Sequence, residues 1–287
     1  MKTLKRSLLI MVLMTSFSLF AQRAQENFID DSYDPSVVKH YNVRANGYNF
    51  SVYELGSEYK ASFVHRYSKN DDFSKEKLER VFNEKRAILA FPVSYTAAET
   101  GLEQGGVNNY KTAGYRWGSI TLKENGRLSF ESNEGLISSY NVYFQDSPRD
   151  LSRSDAEKIE YYFNQWKNEK RDFVQQHFLM NNGYVLDDIM TWNFFKTNQR
   201  DIYRFIGLKK ANDQYAVIIV DFETPIGFKD AIEAMRSYGV VRTLVYCDVN
   251  FSNLGFYKNK RGQTVLIGTP SEYKSYSPGS FLYISKK

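Results

Sequence analysis

The chain has 287 residues, a formal net charge of +5 at pH 7 and an aromatic content of 16%. Lys2, Lys5 and Arg6 carry three of the positive charges in a region without acidic residues, so removal of that region leaves a net charge of about +2. A nearly neutral chain with both signs interspersed lacks the basic surface that neutralises phosphates, so we expect no nucleic-acid partner.

The first 21 residues have the pattern of a secretory signal peptide. The three basic residues precede an apolar run over residues 8–14, and Ala21 is a small residue at the end of the segment. The run is shorter than the roughly 20 apolar residues that span a bilayer. We therefore expect cleavage after Ala21, export to the periplasm or the cell exterior, and no stable membrane span afterwards. An uncleaved anchor is the alternative, because Leu19 is large for its position before the cut.

After the signal peptide, the sequence predicts a polar leader over residues 22–46 and a single domain over residues 47–287. The leader shows no sustained hydrophobic period. Cys247 is the one cysteine, so no intramolecular disulfide can form, and we interpret it as a buried residue of an apolar strand.

The first half of the domain is predicted to be rich in strands. Alternating apolar residues predict strands over residues 48–52 and 59–65, paired as a hairpin around Gly56. Ser74 is the predicted N-cap of a helix, which leads into a buried strand at residues 87–95.

Further along the chain, turn signals separate more strands and two helices. The Asn125–Gly126 pair predicts a hairpin between residues 117–122 and 128–130, since this dipeptide tolerates the positive φ of a tight turn. The later predicted elements are a helix over residues 154–173, strands at 178–180, 202–208 and 215–220, a helix at 228–238 ended by Gly239, a strand at 240–247, a hairpin around Gly262 and a last strand at 281–285. The expected fold class is α+β, a twisted mixed sheet that is largely antiparallel, with a few packed helices.

Common catalytic motifs are absent from the sequence. There is no nucleophile elbow, no phosphate-binding loop and no dinucleotide fingerprint, and His40, His65 and His177 lack the spacing of a zinc site. If the strands at 215–220 and 240–247 run parallel, Asp221 and Asp248 lie at the same sheet edge, where pockets usually form. Acids at strand ends are suited to general acid/base work. The alternative is ordinary loop chemistry, because Asp and Asn commonly follow strands. No cofactor is predicted, and the two carboxylates are compatible with a divalent metal ion although no spacing requires one.

Three segments resemble the phosphodiester glycosidase domain family, which includes the lysosomal uncovering enzyme. RFIGLKKANDQYAVIIV is similar to the family's Arg-Thr-Ala-Ile-Gly strand, with Arg204 and Gly207 at the positions of its Arg and Gly. LVYCDVNFSNLGFY corresponds to the family's Asn-Leu-Asp-Gly-Gly-Gly-Ser-Ser stretch and aligns Asp248 with its Asp, although Val249 and Asn250 replace glycines. FLMNNG matches a strand that closes in a polar turn with glycine.

The resemblance implies an α+β fold and hydrolysis of a sugar from a sugar-1-phosphate diester. It assigns Asp248 as the acid/base and Arg204 as the residue that holds phosphate. The implied substrate-binding residues are Asn182, Gly183, Gly207, Asp221, Asn250 and Ser252. Because bulky residues replace the glycines beside Asp248, a second class stays open, a catalytically degenerate envelope protein that binds carbohydrate or a protein partner.

Overall fold

The computed structural model describes residues 24–65, 74–93, 102–103, 107–108, 117–131, 168, 172–181, 183–186, 189–191, 193–211, 214–239, 241–247, 254–268 and 280–287. The strands are β1 Gln25–Ile29, β2 Val38–Ala45, β3 Tyr48–Leu55, β4 Tyr59–His65, β5 Ala87–Pro92, β6 Leu102–Glu103, β7 Val107–Asn108, β8 Trp117–Leu122, β9 Leu128–Glu131, β10 Phe173–Asn181, β11 Tyr184–Val185, β12 Arg200–Asp201, β13 Arg204–Ala211, β14 Gln214–Asp221, β15 Ile226–Gly227, β16 Val241–Cys247, β17 Gly255–Lys258, β18 Thr264–Ile267 and β19 Ser280–Lys286. The helices are α1 Lys75–Glu84, the short α2 Asn193–Lys196 and α3 Phe228–Tyr238, with a 3-10 turn at Ile189–Thr191.

Two sheets dominate the architecture. The large sheet has the order β1-β2-β3-β14-β13-β16-β10-β8-β9, with β11 attached to β10, and the small sheet has the order β18-β17-β5-β19-β4. All strand pairs in the described part of the chain are antiparallel. The fold is therefore mostly β, and the predicted α+β class holds only loosely, because the described helices are few and short.

Three apolar clusters show how these elements are layered. The first contains residues from both sheets, such as Ile206 and Leu282, so the sheets pack face to face. The second joins the outer face of the large sheet to α3, and the third joins the outer face of the small sheet to α1 through Phe82 and Phe256. The order of layers is thus helix, sheet, sheet, helix.

Several local predictions are confirmed. Ser74 caps α1 by accepting a hydrogen bond from the amide of Lys77, and β5 is buried along its whole length. Strands β8 and β9 pair around Gly126, whose φ is +73°, and Gly239 ends α3 in the left-handed conformation. Gly262, with a φ of +76°, lies between the paired strands β17 and β18. No helix in the described ranges is long and apolar enough to cross a membrane.

The leader predicted over residues 22–46 is wrong for most of its length, because β1 and β2 form there and extend the large sheet. In β2, the buried side chains lie on one face at Val38 and on the other at Val43, so the alternation changes face within the strand. Because of that change, the sequence of β2 lacks the regular alternation of apolar and polar residues by which a strand is recognised. Asn46 and Gly47, with φ values of 49° and 80°, make the turn from β2 to β3.

The hairpin predicted around Gly56 is also wrong. β3 pairs with β2 and β14 in the large sheet, whereas β4 pairs with β19 in the small sheet, so Gly56 marks a crossing between the sheets. A Cβ at Gly56 would lie 2.1 Å from the carbonyl oxygen of Ser36, which explains the glycine. Phe173, the predicted end of a helix, starts β10 instead, and most of residues 154–172 lie outside the described residues.

Candidate functional site

One row of residues crosses six strands of the large sheet. Strand register places its members directly opposite one another, so their side chains share the face that packs on the small sheet. We call this the cross-strand row, and its members are Asn27, Asn42, Ser51, Asp221, Arg204 and Cys247. The row brings two residues of the predicted site, Arg204 and Asp221, into direct contact.

The contact is a buried ion pair. Nε of Arg204 donates to Oδ1 of Asp221 at 3.0 Å, and both side chains are 1% exposed. The second carboxylate oxygen of Asp221 is buried without a hydrogen-bond partner among the described residues. A pair this deep is held in place by the two sheets around it.

The two strands that flank β13 meet the condition for a common edge, because they run in the same direction with β13 between them. β14 and β16 are each antiparallel to β13, so they run the same way and end at the same edge, on either side of Arg204. Cys247 lies opposite Arg204 at that edge and is fully buried, as predicted. Asp248, the next residue, lies outside the described residues, as do Asn182, Asn250 and Ser252.

The two glycines of the predicted site have other surroundings. Gly183, with a φ of +85°, donates its amide to the carbonyl of Arg242, near the start of β16. That position is roughly 17 Å along the strand from Cys247, at about 3.4 Å per residue. Gly207 lies within β13, where a Cβ would be 2.0 Å from the carbonyl oxygen of Thr243. The structure therefore does not bring these glycines to the edge with Arg204.

A hydrogen bond links the cross-strand row to a surface carboxylate. Ser51 donates from Oγ to Oε1 of Glu223 at 2.8 Å, and Glu223 is exposed in the segment after β14. Tyr53, two residues further along β3, is buried under the small sheet. Burial raises the pKa of Tyr53, and the charge of Asp221 raises it further.

An open cleft of about 600 Å³ adjoins the exposed end of the row. The pairing of β3 with β14 ends at Ser51 and Asp221. The cleft is lined by Asn27, residues 42–44, residues 47–51 and residues 222–226, so it lies beside this end of the pairing. Its apolar part includes Phe50 and Phe222, whose ring centroids are 5.0 Å apart. The sequence did not predict this cleft, because most of its lining residues belong to β1, β2, β3 and the β2–β3 turn, where the sequence indicated a polar leader followed by a different hairpin.

A second polar cluster was also missed. Nδ1 of His65 is 2.8 Å from Oγ of Ser280, and Nε2 is 2.7 Å from Oδ1 of Asp172. Ser280 is fully buried and the Asp172 side chain is 36% exposed, so the carboxylate is the part that solvent reaches. No local motif could reveal the cluster, since its residues come from three distant strand ends.

No group of three or more His, Cys, Asp or Glu side chains in the described ranges is arranged to hold a metal ion. A divalent ion between Asp221 and Asp248 stays an untested expectation, because Asp248 lies outside those ranges.

Comparisons with known proteins give matches to solved structures alone. No family model matches the chain, and no curated protein matches it. The chain is similar to the catalytic domain of zebrafish N-acetylglucosamine-1-phosphodiester alpha-N-acetylglucosaminidase, auto-inhibited by its pro-peptide, with a TM-score of 0.48 and 11% identity over 93% of this chain and 85% of that one. It is also similar to a hypothetical protein from Synechocystis, with a TM-score of 0.49 and 9% identity over 88% of this chain and 62% of that one. At such identities, the similarities concern the course of the chain only.

Proposed function

We propose that the protein is an exported glycosidase-like hydrolase that removes a sugar from a sugar-1-phosphate diester or a related glycan. The observation that supports this proposal is the register of β13, β14 and β16. It sets Arg204 opposite both Asp221 and Cys247, so that a guanidinium lies at the edge where β16 leads into Asp248.

The proposed chemistry assigns different work to the two charged groups. Asp248, in its protonated form, gives its proton to the phosphate oxygen as the bond between that oxygen and the anomeric carbon breaks, and its carboxylate then takes a proton from the water whose oxygen bonds to the anomeric carbon. Arg204 attracts the phosphate through its planar fork of donors, and Asp221 orients that fork through Nε. Asn182, Asn250 and Ser252 are proposed substrate contacts, in line with the family resemblance.

Hydrolysis of a panel of sugar-1-phosphate diesters by the purified mature chain tests the proposal. We expect release of free sugar by the wild type and its loss in Asp248→Asn. The matched control is Asp30→Asn, because Asp30 is an exposed carboxylate whose partner is Lys260. Retention of full activity in Asp248→Asn would remove Asp248 from the mechanism, and no release by the folded wild type would reject the hydrolase. N-terminal sequencing of the protein recovered from the periplasm tests cleavage after Ala21.

A second candidate function is a non-enzymatic envelope protein of the same fold that binds carbohydrate or a protein partner. The complete burial of Arg204 and Asp221 favours it, since a guanidinium that is 1% exposed reaches a phosphate only if its cover moves. This function predicts saturable binding without turnover. Turnover of a bound sugar phosphodiester would contradict it.

A further inference from the structure

The cleft beside β3 belongs to a part of the sheet that the small sheet leaves uncovered. In the row that contains His40 and Tyr53, the rings contact Tyr257 of the small sheet. Within β1, β2 and β3, the next two rows toward the β2–β3 turn carry only polar side chains on that face. We call them the polar margin, which consists of Gln25, Asn27, Asn42, Arg44, Asn49 and Ser51.

The side chains of the polar margin can form hydrogen bonds with the hydroxyl groups of a ligand. Each Asn or Gln amide offers two donors and an acceptor on one rigid plane, and these amides are exposed, whereas Ser51 is 2% exposed and its hydroxyl donates to Glu223. A sugar hydroxyl both donates and accepts, so it can form hydrogen bonds with any of the exposed amides. Among the described residues that line the cleft, the charged ones are Arg44 and Glu223, of opposite sign, so the lining has no net charge to select an anionic ligand.

The shape of the cleft agrees with a small organic ligand. Its volume lies within the range of about 300–1,000 Å³ that is common for small-molecule sites, and such sites combine apolar surface with a few placed polar groups. Ser51 is three strand spacings from Cys247 along the cross-strand row, about 15 Å. A ligand that occupies the cleft and also reaches the strand edge near Asp248 must therefore be an extended chain.

We propose that this cleft binds a neutral oligosaccharide through the polar margin. The inference rests on the proposed function in one respect, that the natural ligand contains carbohydrate. Among the described site residues expected from the sequence, Asp221 and Arg204 belong to the cross-strand row with Ser51, and none lines the cleft itself. Glu223, which accepts a hydrogen bond from Ser51, and Arg44 also line the cleft and bind hydroxyls of the sugar.

Titration calorimetry with short neutral oligomers of glucose, mannose and N-acetylglucosamine tests this site directly. We expect the full mature chain to bind at least one series, and Asn42→Ala or Arg44→Ala to weaken that binding about tenfold, equivalent to about 1.4 kcal/mol. The matched control is Gln214→Ala, which removes an exposed amide at the opposite end of the same sheet and leaves binding unchanged. Circular dichroism verifies that each variant is folded.

The binding result is separable from the hydrolase proposal. If the wild type binds none of the neutral series, or if Asn42→Ala and Arg44→Ala bind as the wild type does, the cleft proposal is overturned even when sugar phosphodiesters are hydrolysed. If binding depends on the cleft and no hydrolysis occurs, the cleft stands and the hydrolase fails. Where both hold, Asn42→Ala raises KM for an extended substrate and leaves kcat unchanged, since the cleft lies away from the reacting bond.

Discussion

Arg204 and Asp221 face each other across β13 and β14, with Nε 3.0 Å from Oδ1 and both side chains excluded from solvent. Two residues away along each strand, the next pair on the same face is apolar. It consists of Ile206 and Ile219, which belong to the cluster between the two sheets. A charged pair at the margin of an apolar interface is costly to desolvate and is stable only while both partners are present.

Loss of one partner of this pair is expected to destabilise the fold strongly. Asp221→Ala removes the carboxylate that Nε of Arg204 contacts inside the sheet interface, and we expect the free energy of unfolding to fall by about 3–5 kcal/mol. Urea denaturation of the wild type, Asp221→Ala, Arg204→Met and the double variant measures it. The double variant should lose less than the sum of the single losses, because the two side chains are in direct contact and their contributions to stability are coupled.

An exposed ion pair supplies the control for that experiment. Lys260 and Asp30 are about 60% exposed, so Asp30→Ala should change the free energy of unfolding by no more than about 1 kcal/mol. If Asp221→Ala costs no more than Asp30→Ala, the buried pair does not stabilise the sheet interface.

A methyl group at Gly207 is expected to lower stability without a direct effect on ligand binding. The Cβ of Gly207→Ala would lie 2.0 Å from the backbone oxygen of Thr243, so β13 and β16 must move apart. We expect a loss of about 1–3 kcal/mol in urea denaturation, with an unchanged dissociation constant for any carbohydrate ligand. Lys210→Ala, at an exposed position of the same strand, is the control. Weaker binding by folded Gly207→Ala would restore this glycine to the binding site.

Signals that depend on a few adjacent residues predicted the structure well. Asn125–Gly126, Ser74 and Gly239 each specify a backbone conformation locally, and each was located correctly. The division of the strands between two sheets was not predictable. The strands before and after Gly56 have similar alternation of apolar residues, although β3 belongs to the large sheet and β4 to the small one.

The candidate site was likewise predicted only where local sequence signals determine it. The common edge of Asp221 and Cys247 follows from the strand-helix-strand order, which the sequence displays. The burial of Arg204 does not, because it depends on a small sheet whose strands come from both ends of the chain. The contact of His65 with Ser280 joins residues 215 positions apart in the sequence, and a short motif cannot predict a contact over such a separation.

The first two strands are expected to be required for folding. Val37 and Val38 are fully buried and Val43 is 1% exposed, so removal of residues 24–45 exposes both apolar clusters of the large sheet. A chain that begins at Asn46 should lose its cooperative thermal transition in near-ultraviolet circular dichroism. A chain that begins at Ala24 is the control and should retain the transition. An unchanged melting temperature in the shorter chain would show that these strands are dispensable.

Alkaline pH is expected to destabilise the protein through its buried tyrosines. Burial raises the pKa of Tyr53 above its ordinary value of 10.0, and the Asp221 carboxylate acts in the same direction. In the unfolded chain, Tyr53 loses its proton near pH 10, whereas in the folded chain it keeps it. Its contribution to stability is therefore complete below pH 10 and is lost progressively as the pH rises above that value.

Tyr53→Phe isolates this effect, because it keeps the ring that stacks on His40 at 4.6 Å and removes the titrating hydroxyl. Above pH 10, the free energy of unfolding of the wild type should fall more steeply than that of Tyr53→Phe, by up to about 1.4 kcal/mol per pH unit. Urea denaturation at a series of pH values on both sides of pH 10 measures the two slopes. Tyr184→Phe, at a residue that is 77% exposed, should follow the wild type. Equal slopes for the wild type and Tyr53→Phe would mean that Tyr53 reaches solvent and loses its proton without unfolding of the sheet interface.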